Sequence, residues 1–283
     1  MSRAVGWPEL EAAISGSVIL PGSPAFDGAS RARNARFDHV RPQAVVRCGN
    51  SEDVAEAIRF AHRHGMAVGT RGGGHCFGGR SSTDGLLIDV TPIRSAEVSD
   101  GRVTVGGGTS LREVYDALLD EGVAIPGGSC PSVGVAGLTL GGGLGIIGRK
   151  HGLTSDHLLG AEIVVAGGQV LECDDEHDED LFWALRGGGP GSFGVVTELT
   201  LGIVPAPDAT NFHLAWPVSR APAVIEAWMS WSPAAPDELA ASLVIGAGAD
   251  IDEPPSVEVF GVMLGSESDA EGLIDPVRHQ DRR

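Results

Sequence analysis

Cysteine is scarce in this chain of 283 residues, with four in all: Cys48, Cys76, Cys130 and Cys173. No two stand at C-x-x-C spacing, which argues against a zinc site. So few in so long a chain argue against a disulfide framework. Basic residues are outnumbered, 20 Lys and Arg against 38 Asp and Glu, leaving a formal charge of −18. A field of that sign repels nucleic acid and anionic membrane surfaces. No apolar run approaches the ~20 residues of a transmembrane helix. Met1–Leu20 lacks the basic stretch and apolar core of a signal peptide, so the expectation is a cytoplasmic protein. Tyrosine occurs once, at Tyr115.

Glycine, by contrast, is abundant at 42 residues, without a collagen period. Two glycine-rich loops organise the chain. The first runs from Thr70 through Arg71-Gly72-Gly73-Gly74-His75-Cys76 to Gly78, Gly79 and Ser81. The second runs from Gly127-Gly128-Ser129-Cys130-Pro131-Ser132-Val133-Gly134 on to Gly141-Gly142-Gly143-Leu144-Gly145. Glycine lets the backbone approach a ligand closely, and successive N–H groups form anion-binding concavities. Each loop also carries one nucleophile, His75 or Cys130. A loop of this kind can cradle a phosphate and present an imidazole or thiol to the molecule that bears it. Taken singly, His75 reads as a hydrogen-bonded turn residue and Cys130 as a small core residue; the matched pair of loops is what argues for a site.

Hydrophobic periodicity places these loops on an α/β framework. Residues 44–48 and 66–70 read as strands, joined by an amphipathic helix with Val54, Ala57, Ile58 and Ala61 on one face and Ser51 as its N-cap. Further strands are expected at 86–90 and 102–105, and a helix capped by Ser110 with Leu111, Val114 and Leu118 inward. Residues 161–166 and 169–172 read as a hairpin with a two-residue Gly167-Gly168 turn. A short helix over 178–186 and a strand over 195–204 follow. Pro205-Ala206-Pro207 marks a boundary, dividing the chain into domains 1–205 and 206–283. The second domain is expected to hold strands at 212–216, 239–245 and 257–264 and one helix over 222–231. Gly143 to Gly148 fits G-x-G-x-x-G by letter, yet no acidic strand end follows at the required distance, so a Rossmann site is rejected. His62 and His64 face apart on their helix and make no metal pair. Tyr115, Cys48 and Cys173 read as structural.

Taken together, Arg71-Gly72-Gly73-Gly74-His75, Gly128 to Gly137, Gly141-Gly142-Gly143-Leu144-Gly145, Gly152 to Asp156, Asp180 to Gly189 and Gly191 to Thr197 resemble the berberine-bridge-enzyme-like branch of the vanillyl-alcohol-oxidase flavoproteins. The resemblance covers about 42–205 and weakens beyond. It implies an α+β fold: a two-subdomain PCMH-type FAD-binding domain, then the start of an antiparallel-sheet substrate domain. It implies FAD bonded through His75 to the flavin 8α-methyl carbon and through Cys130 to C6. The site residues carried over are Arg71, Gly72, Gly73, Gly74, His75, Gly78, Ser81, Gly128, Cys130, Val133, Gly134, Gly137, Gly141, Gly142, Gly145 and Val196, the last where the family's backbone meets the adenine. No metal is expected, and no catalytic base is assigned. The implied activity is oxidation of an alcohol, sugar or related small molecule by hydride transfer to flavin, with O2 as the reoxidant. Family members are longer and carry a tyrosine-bearing return segment. The chain therefore reads as a truncated or frame-shifted member or a partial gene model, and the alternative function is a non-catalytic FAD-binding fragment. In that reading Phe212, Leu214, Trp216, Leu243, Ile245, Val257, Phe260 and Val262 lack partners.

Overall fold

The computed structural model describes residues 5–247 and 254–278. It divides into two compact units, Met1–Leu144 with Leu153–Pro205, and Gly145–Gly152 with Ala206–Arg283.

The first unit opens with α1 (Trp7–Ala13), β1 (Ser17–Ile19), α2 (Phe26–Ser30), β2 (Ala44–Arg47), α3 (Ser51–Arg63), β3 (Val68–Arg71) and β4 (Leu86–Asp89). These strands form a sheet in the order β1-β2-β4-β3. The pairs β2/β4 and β3/β4 are parallel, while β1 is antiparallel to β2. Ala44-Val45-Val46 and Leu86-Leu87-Ile88 are apolar without alternation and are fully buried. Strands covered on both faces have this pattern. The apolar stripe of α3 buries Val54, Ala57, Ile58 and Ala61 against Val46 and Ile88. Its N-cap is Asn50, one residue before the expected Ser51: the Asn50 side chain accepts the Asp53 N–H at 2.8 Å. Asp53 is itself engaged, accepting from the backbone of Ser15 at 2.7 Å and of Gly49 at 2.8 Å. A serine at the next position cannot make this cap, because its backbone is already helical.

The unit continues with β5 (Ala96–Ser99), β6 (Arg102–Gly106), α4 (Leu111–Leu119), β7 (Val123–Ala124) and α5 (Val135–Leu140). After α6 (Gly148–His151), which belongs to the second unit, come β8 (Leu158–Val164), β9 (Val170–Asp174), α7 (Glu179–Leu185), β10 (Val195–Gly202) and β11 (Val204–Pro205). Five strands make an antiparallel sheet in the order β5-β6-β10-β8-β9. Its buried face sets Val103, Val105, Ile163, Leu199 and Leu201 against Leu111, Val114 and Leu118 of α4 and Phe182 of α7. Ser110 caps α4 as expected, in a reciprocal capping box with Glu113. The β8–β9 hairpin differs from expectation: Val165 N–H bonds Gln169 O, so the loop is Ala166-Gly167-Gly168. Gly168 sits at φ +75°, the left-handed position that closes a three-residue hairpin loop. Two adjacent glycines do not by themselves reveal which one takes that conformation.

The second unit holds β12 (Ala209–Pro217), α8 (Ala221–Trp231), β13 (Leu239–Gly246), β14 (Ser256–Leu264) and α9 (Glu267–Arg278). The strands form an antiparallel sheet in the order β12-β14-β13. Trp216, Val257, Val259 and Met263 are buried in one core with Val224, Trp231, Ala270, Ile274 and Val277 from α8 and α9. Trp231 Nε1–H donates to Leu273 O at 2.6 Å, tying the helices together. This corrects the expectation of an unpartnered sheet for Trp216 and Val257, and Phe212, Leu214 and Leu243 pack against the same core. Val262 is buried too, whereas Phe260 and Ile245 stay exposed. The cause is α9, which the sequence reading does not anticipate. Its stripe Ala270, Leu273, Ile274, Val277 has helical spacing, masked by Pro276 in the last turn. The polar residues His279–Arg283 lie outside the described residues. Arg149 of α6 donates to Ser232 O at 2.7 Å and to Ala235 O, and Lys150 pairs with Glu238 at 3.2 Å. That is why residues 145–152 belong with this unit. No helix among the described residues is long and apolar enough to cross a membrane.

Candidate functional site

The two glycine loops meet within the first unit. β3 ends at Arg71, and the first loop leaves the C-terminal end of this parallel strand. The second loop turns sharply at Cys130-Pro131-Ser132-Val133, where Val133 N–H bonds Cys130 O at 3.2 Å. Proline at the second position of such a turn has its φ already set. The loop is then pinned against the start of α4: Leu111 N–H bonds Val133 O at 2.9 Å, and Val135 N–H bonds Thr109 O at 3.0 Å. The loops cross at Gly73 and Gly134. A Cβ on Gly134 would lie 2.5 Å from the Gly73 nitrogen, and one on Gly73 would meet the Gly134 nitrogen more closely still. Neither position has room for a side chain.

This crossing brings the two nucleophiles together. His75 Nε2 lies 3.0 Å from the Ser132 hydroxyl oxygen, and Cys130 Sγ lies 3.7 Å from the same oxygen. Burial first, then the Arg33 guanidinium, hold the His75 imidazole below the ordinary histidine range, against the opposing pull of the Ser132 backbone. Both effects favour the neutral ring, the form a nucleophile needs. Cys130 is exposed, unlike Cys48 and Cys173, which are core residues as expected. Burial pushes the Cys173 thiol up to about 11, so it is chemically inert. Tyr115 is likewise structural. Its hydroxyl donates to Gly128 O at 2.5 Å, and burial pushes it up to about 12.

Both nucleophiles open on one cavity of about 660 Å³, a volume typical of ligand sites. Of the expected site residues, Arg71, Gly72, Gly73, Gly74, His75, Ser81, Cys130, Val133, Gly134, Gly137, Gly141 and Val196 line it. Gly78, Gly128 and Gly142 stand off its wall. The Gly128 carbonyl is taken by Tyr115, and the Gly142 carbonyl accepts Ser155 N–H at 2.9 Å. Gly145 belongs to the second unit. Three glycines not singled out, Gly107, Gly191 and Gly194, line the cavity as well. The signal for the last two was their place in the glycine-rich run 187–194; Gly107 had none beyond Gly106-Gly107-Gly108. Ser132 was passed over because only the fold places it between His75 and Cys130. No group of His, Cys, Asp and Glu among the described residues has a metal-holding arrangement.

Arg71 is built into the wall rather than aimed at a ligand. Its guanidinium donates to Ser81 O from both Nε (3.0 Å) and Nη2 (2.8 Å), and to the carbonyls of Ala29 (2.6 Å), Ser30 (2.9 Å) and Arg31 (3.0 Å). It clasps the C-terminal end of α2 to the end of the first glycine loop. Lysine has three donors in place of five and no fork. Arg71→Lys is expected to leave buried carbonyls unpaired and to cost about 2 kcal/mol or more in urea unfolding.

Two observations test the fit of a large, phosphate-bearing ligand. The Ser81 hydroxyl is buried at the cavity with no hydrogen-bond partner among the described residues. A buried hydroxyl normally has a partner, and a polar ligand would supply it. Gly137 lies inside α5, and a Cβ there would meet nothing within 4 Å. Packing therefore does not explain a residue that weakens its helix; space kept for a ligand does.

The model of a family described as "FAD binding domain" matches residues 42–174. Berberine bridge enzyme-like 18 of Arabidopsis thaliana is 35% identical over 210 residues, 70% of this chain and 39% of that protein. The crystal structure of 6-hydroxy-D-nicotine oxidase from Arthrobacter nicotinovorans superposes with a TM-score of 0.88 at 33% identity, covering 94% of this chain and 59% of that one. Glucooligosaccharide oxidase of Acremonium strictum, described as carrying a 6-S-cysteinyl, 8α-N1-histidyl FAD, gives 0.86 at 30% identity, covering 98% and 58%. The chain thus spans at most about three-fifths of the length of these relatives. By these likenesses in sequence and fold, the chain belongs to the berberine-bridge-like, PCMH-type FAD-linked oxidoreductases.

Proposed function

We propose that this chain is the flavin-holding part of an FAD-dependent oxidase in which His75 and Cys130 both bond the flavin. The observation that carries this reading is that His75 and Cys130 line one cavity and share one hydroxyl, Ser132 Oγ, which lies 3.0 Å from His75 Nε2 and 3.7 Å from Cys130 Sγ. When bound, FAD supplies a two-electron acceptor for substrate hydride and passes the electrons to O2. The chain's own residues do the rest. Gly72, Gly73, Gly74, Gly134, Gly137 and Gly141 keep the wall bare of side chains. Ser81 offers a hydroxyl, and Val196 contributes backbone. His75 and Cys130 fix the ring so that it need not be ordered at each turnover, which lowers the entropic cost of reaction. In this reading residues 1–205 hold the cofactor, and residues from 206 on begin the substrate side. The substrate class is an alcohol, a sugar or a related small molecule.

Incubation with a panel of alcohols and sugars, followed by peroxide detection, tests the activity. Flavin that is bound yet never bleached by any of them would favour the non-catalytic fragment instead.

Oxygen access is expected to depend on Val133. It lies three residues past Cys130 on the cavity wall and is half-buried. Dense interiors feel a single added methylene, so Val133→Leu is expected to crowd the cavity wall beside Cys130 and to hinder O2 there. Photoreduced protein should reoxidise rapidly in air, and the leucine variant several-fold more slowly in stopped flow. Equal rates would remove Val133 from the account.

A further inference from the structure

We infer that Ser132 is the positioning residue for cofactor attachment, holding His75 in the tautomer that leaves Nδ1 free and polarising the Cys130 sulfur through the same hydroxyl. The inference rests on the double attachment proposed above. The two contacts accommodate the proton arrangement that this role requires. The His75 Nε2–H donates to Ser132 Oγ across 3.0 Å, and the Ser132 O–H donates to Cys130 Sγ across 3.7 Å. A serine hydroxyl has one hydrogen and two lone pairs, so it fills both roles at once. With Nε2 occupied, Nδ1 keeps its lone pair and is the nitrogen available to react. The same hydroxyl reaches the sulfur that forms the second bond. The Cys130–Val133 turn fixes this hydroxyl, because Pro131 limits the backbone before it and Leu111 and Val135 pin the backbone after it. Arg33 is the charged group that acts on His75, and it opposes protonation of the ring.

The chemistry balances without a further reagent. Attachment at His75 replaces one C–H of the flavin 8-methyl group by a C–N bond to Nδ1. Two protons leave, one from that methyl group and one from Nε2, and two electrons stay with the ring system. O2, the oxidant of the proposed reaction, removes both electrons and both protons as hydrogen peroxide. The Nε2 proton departs through Ser132, which then donates its own hydrogen to the bare Nε2. At Cys130 a C–S bond replaces the C6–H bond with the same balance of two protons and two electrons.

Threonine and valine at position 132 are isosteric and differ only in the hydroxyl. The apoprotein forms of wild type, Ser132→Thr and Ser132→Val are mixed with FAD in air. Attachment is followed by mass spectrometry of the His75 and Cys130 peptides, with melting temperature as a check on folding. Ser132→Thr is expected to attach flavin at His75 at close to the wild-type rate. Ser132→Val should be slower by about a hundredfold or more, in the range that loss of a positioned proton acceptor produces. It should still hold FAD that is released on acid precipitation. Ser132→Val attaching as fast as Ser132→Thr, in a wild type carrying both bonds, overturns this inference alone. A wild type with no flavin on either peptide overturns the double attachment and this inference with it.

Discussion

Acid-precipitated holoprotein is expected to stay yellow, and only the variant lacking both nucleophiles should lose its colour to the supernatant. The reason is geometric redundancy. His75 comes from the loop after β3 and Cys130 from the loop before α5, so each bond anchors the flavin from a separate stretch of chain. His75→Ala leaves the thioether and Cys130→Ala leaves the histidyl bond, and either alone survives denaturation. The double variant should release all of its flavin. Both side chains suit the chemistry, since burial and Arg33 favour the neutral imidazole and Cys130 is exposed. Each single variant should also reduce more easily by dithionite titration than the double variant and less easily than the wild type, as two bonds raise the potential further than one. Flavin fully extractable from the wild type would sink the double attachment. Flavin retained by the double variant would place the bond on another residue, with Cys76 the next candidate on the wall.

Alanine at Gly73 and at Gly137 is expected to act in opposite directions on stability, although both residues line one cavity. At Gly73 the new Cβ runs into backbone, the Gly134 nitrogen and Ser132 O at 2.9 Å, and backbone cannot rotate out of the way. Overpacking of this kind costs about 1–3 kcal/mol and more when main chain must move. For a unit of this size that is a fall in melting temperature of roughly 5–10 °C. The loops would also part, taking His75 away from Ser132, so flavin attachment should fail as well. At Gly137 the Cβ enters open space. Within α5, alanine gains about 1 kcal/mol of helix propensity over glycine. Gly137→Ala apoprotein should therefore melt slightly higher than wild type yet bind FAD more weakly, the methyl group occupying room kept for the ligand. Calorimetry of the apoproteins with flavin titration separates the two effects. A Gly73→Ala protein as stable as wild type would remove the loop crossing from the account. A Gly137→Ala protein with unchanged FAD affinity would mean that this part of the wall lies off the cofactor.

Much of the framework is local and could be read from the chain. Strands β2 and β4 announce themselves as apolar runs because both faces are covered, and α3 and α4 as stripes because one face is. The capping box of Ser110 and Glu113 involves residues three apart, and the identities of His75 and Cys130 as nucleophiles are properties of their side chains. Where local signals are degenerate the sequence does not decide: Asn50 and Ser51 can each cap a helix, two adjacent glycines share one turn, and Pro276 hides the stripe of α9.

The site itself was decided by the tertiary structure. Arg71 looked like a ligand-binding residue because its neighbours do. Its guanidinium is instead spent on carbonyls some 40 residues earlier, at Ala29, Ser30 and Arg31, and carbonyls carry no sequence signature. Ser132 stands 57 residues from His75 and meets it only because Gly73 and Gly134 let two backbones cross. Gly137 reads like any other glycine until the space around it is known. Composition and periodicity report which faces must be buried, since burial acts on each side chain through its own transfer free energy. They do not report which backbone atoms two distant loops bring within a hydrogen bond, because every residue carries the same N–H and C=O.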